Sequence, residues 1–388
     1  MKAGWKTVKL HDICDIVKGR KPNLRTTPNE GDLPYLVARY IRGLEDPEYG
    51  SPFEKGVVTL TEADTVIICD GSNSGEVFTG LNGIMSSTMG KVVKKMEIYE
   101  PYLRHFLSST FELFNGTKTG SAIPHLDKDS FRKLEIPLPP LAEQKRIVAI
   151  LDEAFKGIDE AKAKAEATLL ESQTLLESHL EAAFTQNEED RKDKPLSELC
   201  ERITKGSSPK WQGVSYIEAP GVLFVTSENV GECEIHLDEP KYVEEKFNVK
   251  DKKSILKKGD VLTNIVGASI GRTAVFDRDD LANINQAVCL LRCRPDVLNS
   301  HYLAYMLNSP VFKRILHENE IDTARANLSL GFFSKLIIPA PSLTRQNQVV
   351  VEIETFRQQA KHLRKLYYLK IASLDDLKKS ILQKSFAS

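Results

Sequence analysis

Arg325 and Asn327 stand two positions apart in the polar run DTARANLSL, residues 322–330. Arginine can make paired hydrogen bonds to guanine in the DNA major groove and asparagine can make them to adenine, so the two residues are candidates for base-edge contact from one loop. The run NGTKTGSAIPHL, residues 115–126, holds the same place in the first half of the chain, with Lys118, Thr119, Ser121 and His125 as counterparts. VKGRKP (17–22) and TKGSSPK (204–210) form a second matched pair. Their Lys18, Arg20, Lys21, Lys205, Ser207 and Lys210 suit phosphate contact, although a plain solvated loop has the same composition. A third pair, DGSNSG (70–75) and VGASIG (266–271), follows apolar runs and offers Asn73, Ser74, Ser269 and, just beyond, Arg272. Such a loop either brings backbone N–H groups against phosphate or is a tight turn that needs glycine for its dihedral angles.

No set of residues for bond-making chemistry accompanies these loops. The chain has no N-P-P-[YF] methyltransferase motif and no G-x-x-x-x-G-K-[ST] phosphate loop. DEAF (152–155) looks like a helicase box but lies in helical sequence with no phosphate loop upstream. Eight scattered histidines show no metal-ligand spacing. Six cysteines without a C-x-x-C pair read as buried, reduced thiols, which suits the cytoplasm. MKAGWKTVKL at the N-terminus lacks the apolar core of a signal peptide, and no apolar run approaches the roughly 20 residues of a membrane span.

The elements that must carry the loops occur twice. LEIPLPPLAEQKRIVAILDEAF starts at Leu134 and LIIPAPSLTRQNQVVVEIETF at Leu336, and this offset of 202 persists without a gap to Phe184 and Phe386. Upstream, DTVIICDGSNSG (64–75) matches DVLTNIVGASIG (260–271), and YLRHFLSS (102–109) matches YLAYMLNS (302–309). Short β-branched runs ending at glycine, mixed with short helical stretches, give each copy a mixed α/β character. Pro137, Pro139 and Pro140 impose an extended approach to a long helix, as do Pro339 and Pro341 in the second copy, where Ser342 is placed to cap. The 44 residues from Leu141 to Phe184 contain no proline and make a helix of about 66 Å.

Charge and seam composition predict that the two helices pair. Residues 141–193 hold 7 Lys/Arg against 13 Asp/Glu and residues 341–388 hold 9 against 4, while the whole chain of 388 residues is near neutral at -1. A bulky seam on the second helix (Ile353, Phe356, Ala360, Leu363, Tyr367, Leu374, Leu377, Ile381) matches a mostly small one on the first (Leu151, Ala154, Ile158, Ala161, Ala165, Thr168, Ser172, Leu175, His179). The expected fold is α+β: two similar mixed α/β domains, residues 1–140 and 194–340, joined by two long antiparallel helices, 141–187 and 341–388. These form an intramolecular coiled coil with pseudo-twofold symmetry.

The doubled helix start, together with TGSAIPHLDKDSFRKLEIPLPP (119–140) closing the first domain, resembles the specificity subunits of type I restriction–modification enzymes. The resemblance covers essentially the whole chain, with Ser342 in place of Pro140 and Arg345 in place of Glu143 as departures in the second copy. It implies a non-catalytic reader of double-stranded DNA, with two target-recognition domains for the halves of a split, asymmetric target and a helical ruler for the gap. It also implies two modification subunits using S-adenosylmethionine and restriction subunits using ATP and magnesium, this chain itself carrying no cofactor and touching no membrane. Candidate partner contacts on the helices are Glu143, Lys145, Arg146, Arg345, Arg357 and Arg364, which a solvated charged face would equally explain. The rival readings are a two-headed protein-binding scaffold with a coiled-coil spacer and a solitary DNA methyltransferase or nuclease.

Overall fold

The structure is a computed structural model and describes residues 5–116, 125–185, 192–218, 220–320 and 326–387. It divides into two compact units, one of residues 1–166 with 368–388 and the other of residues 167–367.

In the first unit, strands β1 (Cys14–Lys18), β2 (Thr65–Ile68), β3 (Val77–Thr79) and β4 (Met89–Lys94) form an antiparallel sheet in the order β1-β4-β2-β3. In the second, β5 (Cys200–Lys205), β6 (Asp260–Asn264), β7 (Thr273–Phe276) and β8 (Val288–Cys293) repeat it as β5-β8-β6-β7. Each unit adds a second four-stranded sheet with one parallel pairing, Leu33–Leu36 beside Gly83–Met85 and Val222–Val225 beside Ala282–Ile284. The central strands β2 and β6 are buried along their whole length; β2 is apolar apart from Thr65, whereas β6 also buries the polar Asp260, Thr263 and Asn264.

The proline-bearing approach to each long helix is itself a strand. Glu135–Leu138 pairs with Lys6–Lys9, and Ile337–Pro339 pairs with Asp193–Pro195. These are two-stranded ribbons, where an edge tolerates a residue without an N–H. Tyr102, in helix α1 (Glu100–Ser109), donates its hydroxyl to the Pro137 carbonyl at 2.8 Å. The long helices are α2 (Leu141–Thr185) and, beyond α3 (Ser300–Leu307), α4 (Leu343–Phe386). Tyr302 of α3 repeats the hydroxyl contact, to the Pro339 carbonyl at 3.3 Å. At the start of α2 the Pro140 carbonyl accepts from Glu143 and Gln144. At the start of α4 the Ser342 carbonyl accepts from Gln346, and its hydroxyl sits 3.4 Å from the Arg345 N–H, the cap its position predicts.

Both units contain a stretch of each long helix, and the two stretches run antiparallel. In the first unit Lys162 donates to both carboxylate oxygens of Asp375 at 2.8 and 2.9 Å, and Lys378 donates to both of Asp159 at 2.7 and 2.9 Å. Lys378 also lies 5.2 Å from the Phe155 ring centroid. In the second unit His179 stacks on Phe356 with centroids 4.6 Å apart. The expected seam holds at Leu151, Ile158, Ala165 and Ile353, all buried. It fails at Leu175, Leu363 and Leu377, which are 59%, 37% and 47% exposed; Leu176 and Lys378, beside the first and last of these, turn inward instead. A strict seven-residue repeat drifts by about 20° per heptad on a straight helix, so a register extrapolated over several heptads slips to the adjacent residue.

The far end of each helix packs on the domain core of the other repeat. Phe386 meets Tyr102 and Phe106 edge-to-face at 5.3 and 5.5 Å in the first unit, and Phe184 meets Tyr302 at 5.3 Å in the second. Each aromatic joins the main core cluster of its unit. Such edge-to-face pairs add roughly 0.5–1.5 kcal/mol beyond their area burial.

Candidate nucleic-acid interface

Three separate loops of the first unit meet at the end of β2. The Cys69 carbonyl accepts from the Leu126 N–H at 2.8 Å, and Asp70 and His125 form an isolated bridge, so the chain leaving the polar run lands beside the central strand. The glycine turn begins here, with Gly71 and Gly75 at φ 113° and 94°. A Cβ on Gly75 would lie 2.7 Å from Phe114 Cβ, so both its dihedral and its space require glycine. The turn reading of this segment therefore holds. Ser74 serves it from within: the side chain is buried and its hydroxyl donates to the Gly71 carbonyl at 2.6 Å, which removes it as a DNA contact in this conformation. Asn73 stays part-exposed, and its carbonyl accepts from Glu76.

Asp70 ties the loops together. Lys18 Nζ, at the end of β1, donates to its Oδ2 at 2.5 Å, and His125 Nδ1 donates to its Oδ1 at 2.7 Å. Partial burial works against the charge on Asp70, but the bonds from Lys18 and His125 outweigh it and hold the carboxyl below its ordinary range. Lys18 and His125, two of the expected DNA contacts, thus both meet the Asp70 carboxylate. Arg20 and Lys21 are exposed beside them. Lys118, Thr119 and Ser121 lie outside the described residues.

The second unit repeats the backbone arrangement and changes its charge. The Ile265 carbonyl accepts from Leu328 at 2.9 Å, Gly267 N–H donates to Ala326 at 3.0 Å, and Val266 bridges Asn327. Gly267 and Gly271 sit at φ 75° and 86°, again a turn, and Ser269 accepts the Arg272 N–H within it. Val266 occupies the place of Asp70, so no carboxylate meets Lys205 here. A cleft of about 470 Å³ opens instead, walled by Lys205, Ser207, Trp211, Val266, Gln286 and Asn327. Gly206 holds the basic loop against the neighbouring strand end, since a Cβ there would fall 1.8 Å from the Ile284 carbonyl oxygen. The Ser207 hydroxyl donates to the buried Asp251 carboxylate, which positions the loop. Lys210 and Arg272 are exposed, and Arg325 lies outside the described residues.

On the helices, Glu143 and Arg146 form a double hydrogen bond to each other at 2.7 Å, and Lys145 lies 5.9 Å from the Tyr99 ring centroid. Arg345 reaches Glu352 at 3.3 Å, and Arg364 is exposed. Arg357 does not face outward: it lies 5.3 Å from the Tyr305 centroid and donates to the Glu232 carbonyl at 3.4 Å. Its role is to pin α4 to its domain. The conserved spacing of Gln144 and Gln346 within the repeated helix start carried a signal whose meaning only the packing reveals. Both are buried, and each amide clasps the loop before the short core helix to the start of the long one.

Among the described residues no group of three or more His, Cys, Asp or Glu side chains is placed to hold a metal ion, and no helix is long and apolar enough to cross a membrane. All six cysteines are free thiols, and five are buried.

Two copies of one fold, each gathering a basic strand end, a glycine turn and a polar loop at its central strand, define a protein with two recognition faces. The chain belongs to the type I restriction modification DNA specificity domain family, whose profile matches residues 2–169 and again 188–381. It is thus a non-catalytic, DNA-recognising subunit. It is 27% identical to the type I restriction enzyme MjaVIII specificity subunit of Methanocaldococcus jannaschii, over 90% of this chain and 85% of that one. It is 23% identical to the EcoBI specificity subunit of Escherichia coli, over 98% and 85%. Among solved structures it shares its fold with a chain studied for complex assembly and conformational transition of the type I R-M system, with a TM-score of 0.75 at 20% identity, covering 100% of this chain and 98% of that one. The HsdS subunit from Thermoanaerobacter tengcongensis aligns with a TM-score of 0.60 at 20% identity, covering 100% and 97%.

Proposed function

We propose that the chain reads a bipartite, asymmetric duplex target, with residues 1–140 and 194–340 each reading one half. The long helices, residues 141–187 and 341–388, set the gap and dock two modification subunits. Those subunits bring S-adenosylmethionine, restriction subunits bring ATP and magnesium, and this chain supplies recognition alone, in the cytoplasm. The observation carrying this reading is the convergence, in both repeats, of a basic strand end, a glycine turn and a polar loop at the end of the central strand. Exposed apolar residues on the helices of the second unit, Leu170 at 69% and Leu366 at 49%, together with Arg364, support a partner surface there.

Methylome sequencing of cells with and without the chain tests the proposal: deletion removes a two-part adenine-methylation motif. Exchange of residues 1–140 for the equivalent domain of a relative replaces one half of that motif and leaves the other half and the gap intact. An unchanged methylome in a methylation-active strain refutes the assignment. A protein-binding scaffold would instead show no DNA affinity that falls with salt.

Asp70 provides an electrostatic check. Asp70→Asn releases Lys18 and His125 from a fixed negative charge, so affinity for non-target duplex rises and the slope of log K against log salt steepens by about one unit. Binding isotherms between 50 and 200 mM salt read this, and a slope equal to wild type would remove Lys18 from the phosphate contacts.

A further inference from the structure

We infer that Gln286 and Trp211 belong to the reading face of the second recognition domain, Gln286 contacting the base edge of an adenine and Trp211 forming the apolar wall beside it. The inference rests on the proposed DNA reading and adds two residues that neither the repeat nor the basic loops single out.

Residues from separate parts of the sequence supply the cleft, with Val266 beyond β6 among them. Lys205 ends β5, Trp211 follows in the next loop, Gln286 sits in the turn between Ala282–Ile284 and β8, and Asn327 closes the polar run. Asn285 builds the turn that presents Gln286, its side chain accepting from the Ala287 N–H at 3.1 Å and its carbonyl from Val288 at 3.3 Å. Among the described residues the Gln286 amide, the Lys205 ammonium and the Trp211 indole N–H have no hydrogen-bond partner. Trp211 is 79% exposed. A large aromatic ring left in water beside unspent polar groups marks a contact surface rather than a core that failed to close.

The chemistry of the lining selects the occupant. An amide offers a donor and an acceptor side by side, which matches N6 and N7 of adenine, and a neighbouring ammonium suits the phosphate backbone. The corresponding place in the first domain is occupied by Asp70, which would repel that backbone, whereas Val266 leaves the second cleft without a carboxylate. The half-site read by the second domain therefore includes an A·T pair opposite Gln286.

The test is selection from a randomised duplex pool by the tagged full-length chain, purified with the subunits that accompany it, followed by sequencing and affinity measurement. Gln286→Ala should lower the preference for adenine at one position of one half-motif by roughly ten- to a hundredfold and leave the other half untouched. Gln286→Glu should move that preference toward cytosine, because a carboxylate accepts from its amino group. Trp211→Ala should weaken binding to the same motif by about tenfold. Neither side chain carries a hydrogen bond, so melting curves should match wild type. If wild type enriches a two-part motif and the variants enrich the same motif with the same affinity, this inference is overturned while the DNA reading stands. If wild type enriches no sequence, the reading itself fails and the inference with it.

Discussion

Gln346→Leu is expected to lower the stability of the second unit by about 3–5 kcal/mol, because each buried polar group stripped of its partner costs roughly 1–3 kcal/mol. Gln346 is fully buried. Its Oε1 accepts from the Asn299 N–H at 2.8 Å, and its Nε2 donates to the Val297 and Pro341 carbonyls at 2.9 and 2.8 Å. Leucine fills similar space but leaves three backbone groups without partners. The matched Gln144 makes two such bonds, to the Tyr99 N–H and the Pro139 carbonyl, so Gln144→Leu should cost somewhat less, about 2–4 kcal/mol, and act on the first unit. Calorimetry should show the Gln346→Leu transition lowered by roughly 6–20 °C. The exposed Thr344→Ala serves as control. A melting temperature within a degree of wild type would show that the clasp is dispensable and that the repeated glutamine has another purpose.

Asp260→Ala carries a comparable expected cost, about 3–5 kcal/mol, through a different mechanism. Asp260 is 1% exposed and holds Arg292 by two hydrogen bonds of 2.7 and 2.8 Å, while its Oδ2 also accepts from the Lys257 N–H. Removing the carboxylate leaves a largely buried guanidinium, 12% exposed, with the Ile255 carbonyl as its remaining hydrogen-bond partner. The double replacement Asp260→Leu with Arg292→Met should recover most of the loss, since an apolar pair needs no desolvation compensation. Failure of the double variant to recover would mean that the aspartate acts through its Lys257 bond instead of through the ion pair. In the first unit the matching Asp64 pairs instead with Lys91, from a different register position, at 2.8 Å; that pair is more exposed at 18% and 26%, so Asp64→Ala there should cost only about 1 kcal/mol.

These two predictions draw on parts of the chain that the repeat had already marked. Asp64 and Asp260 open the matched segments, and Gln144 and Gln346 sit at the same step of the helix start. Their identity was legible, but their work was not. A glutamine three residues into a helix looks like surface until the carbonyls it satisfies are brought to it by the preceding core helix.

The sequence by itself determined the doubled architecture, the antiparallel helix pair and the positions where the long helices begin. These follow from local physics: proline excludes helix behind it, 44 proline-free residues favour helix, and opposite charge with complementary seams selects the partner. Tertiary structure alone decided which side chains meet at the end of each central strand. Lys18, Asp70 and His125 span more than a hundred positions, as do Lys205, Gln286 and Asn327. Strand pairing brings each set together, and no periodicity in the chain reports which side chains a sheet places opposite one another. The same pairing sets Asp70 against Lys18 and His125 in the first unit and Val266 beside Asn327 in the second. That difference gives the two repeats, alike in sheet topology, different charge environments at the end of the central strand.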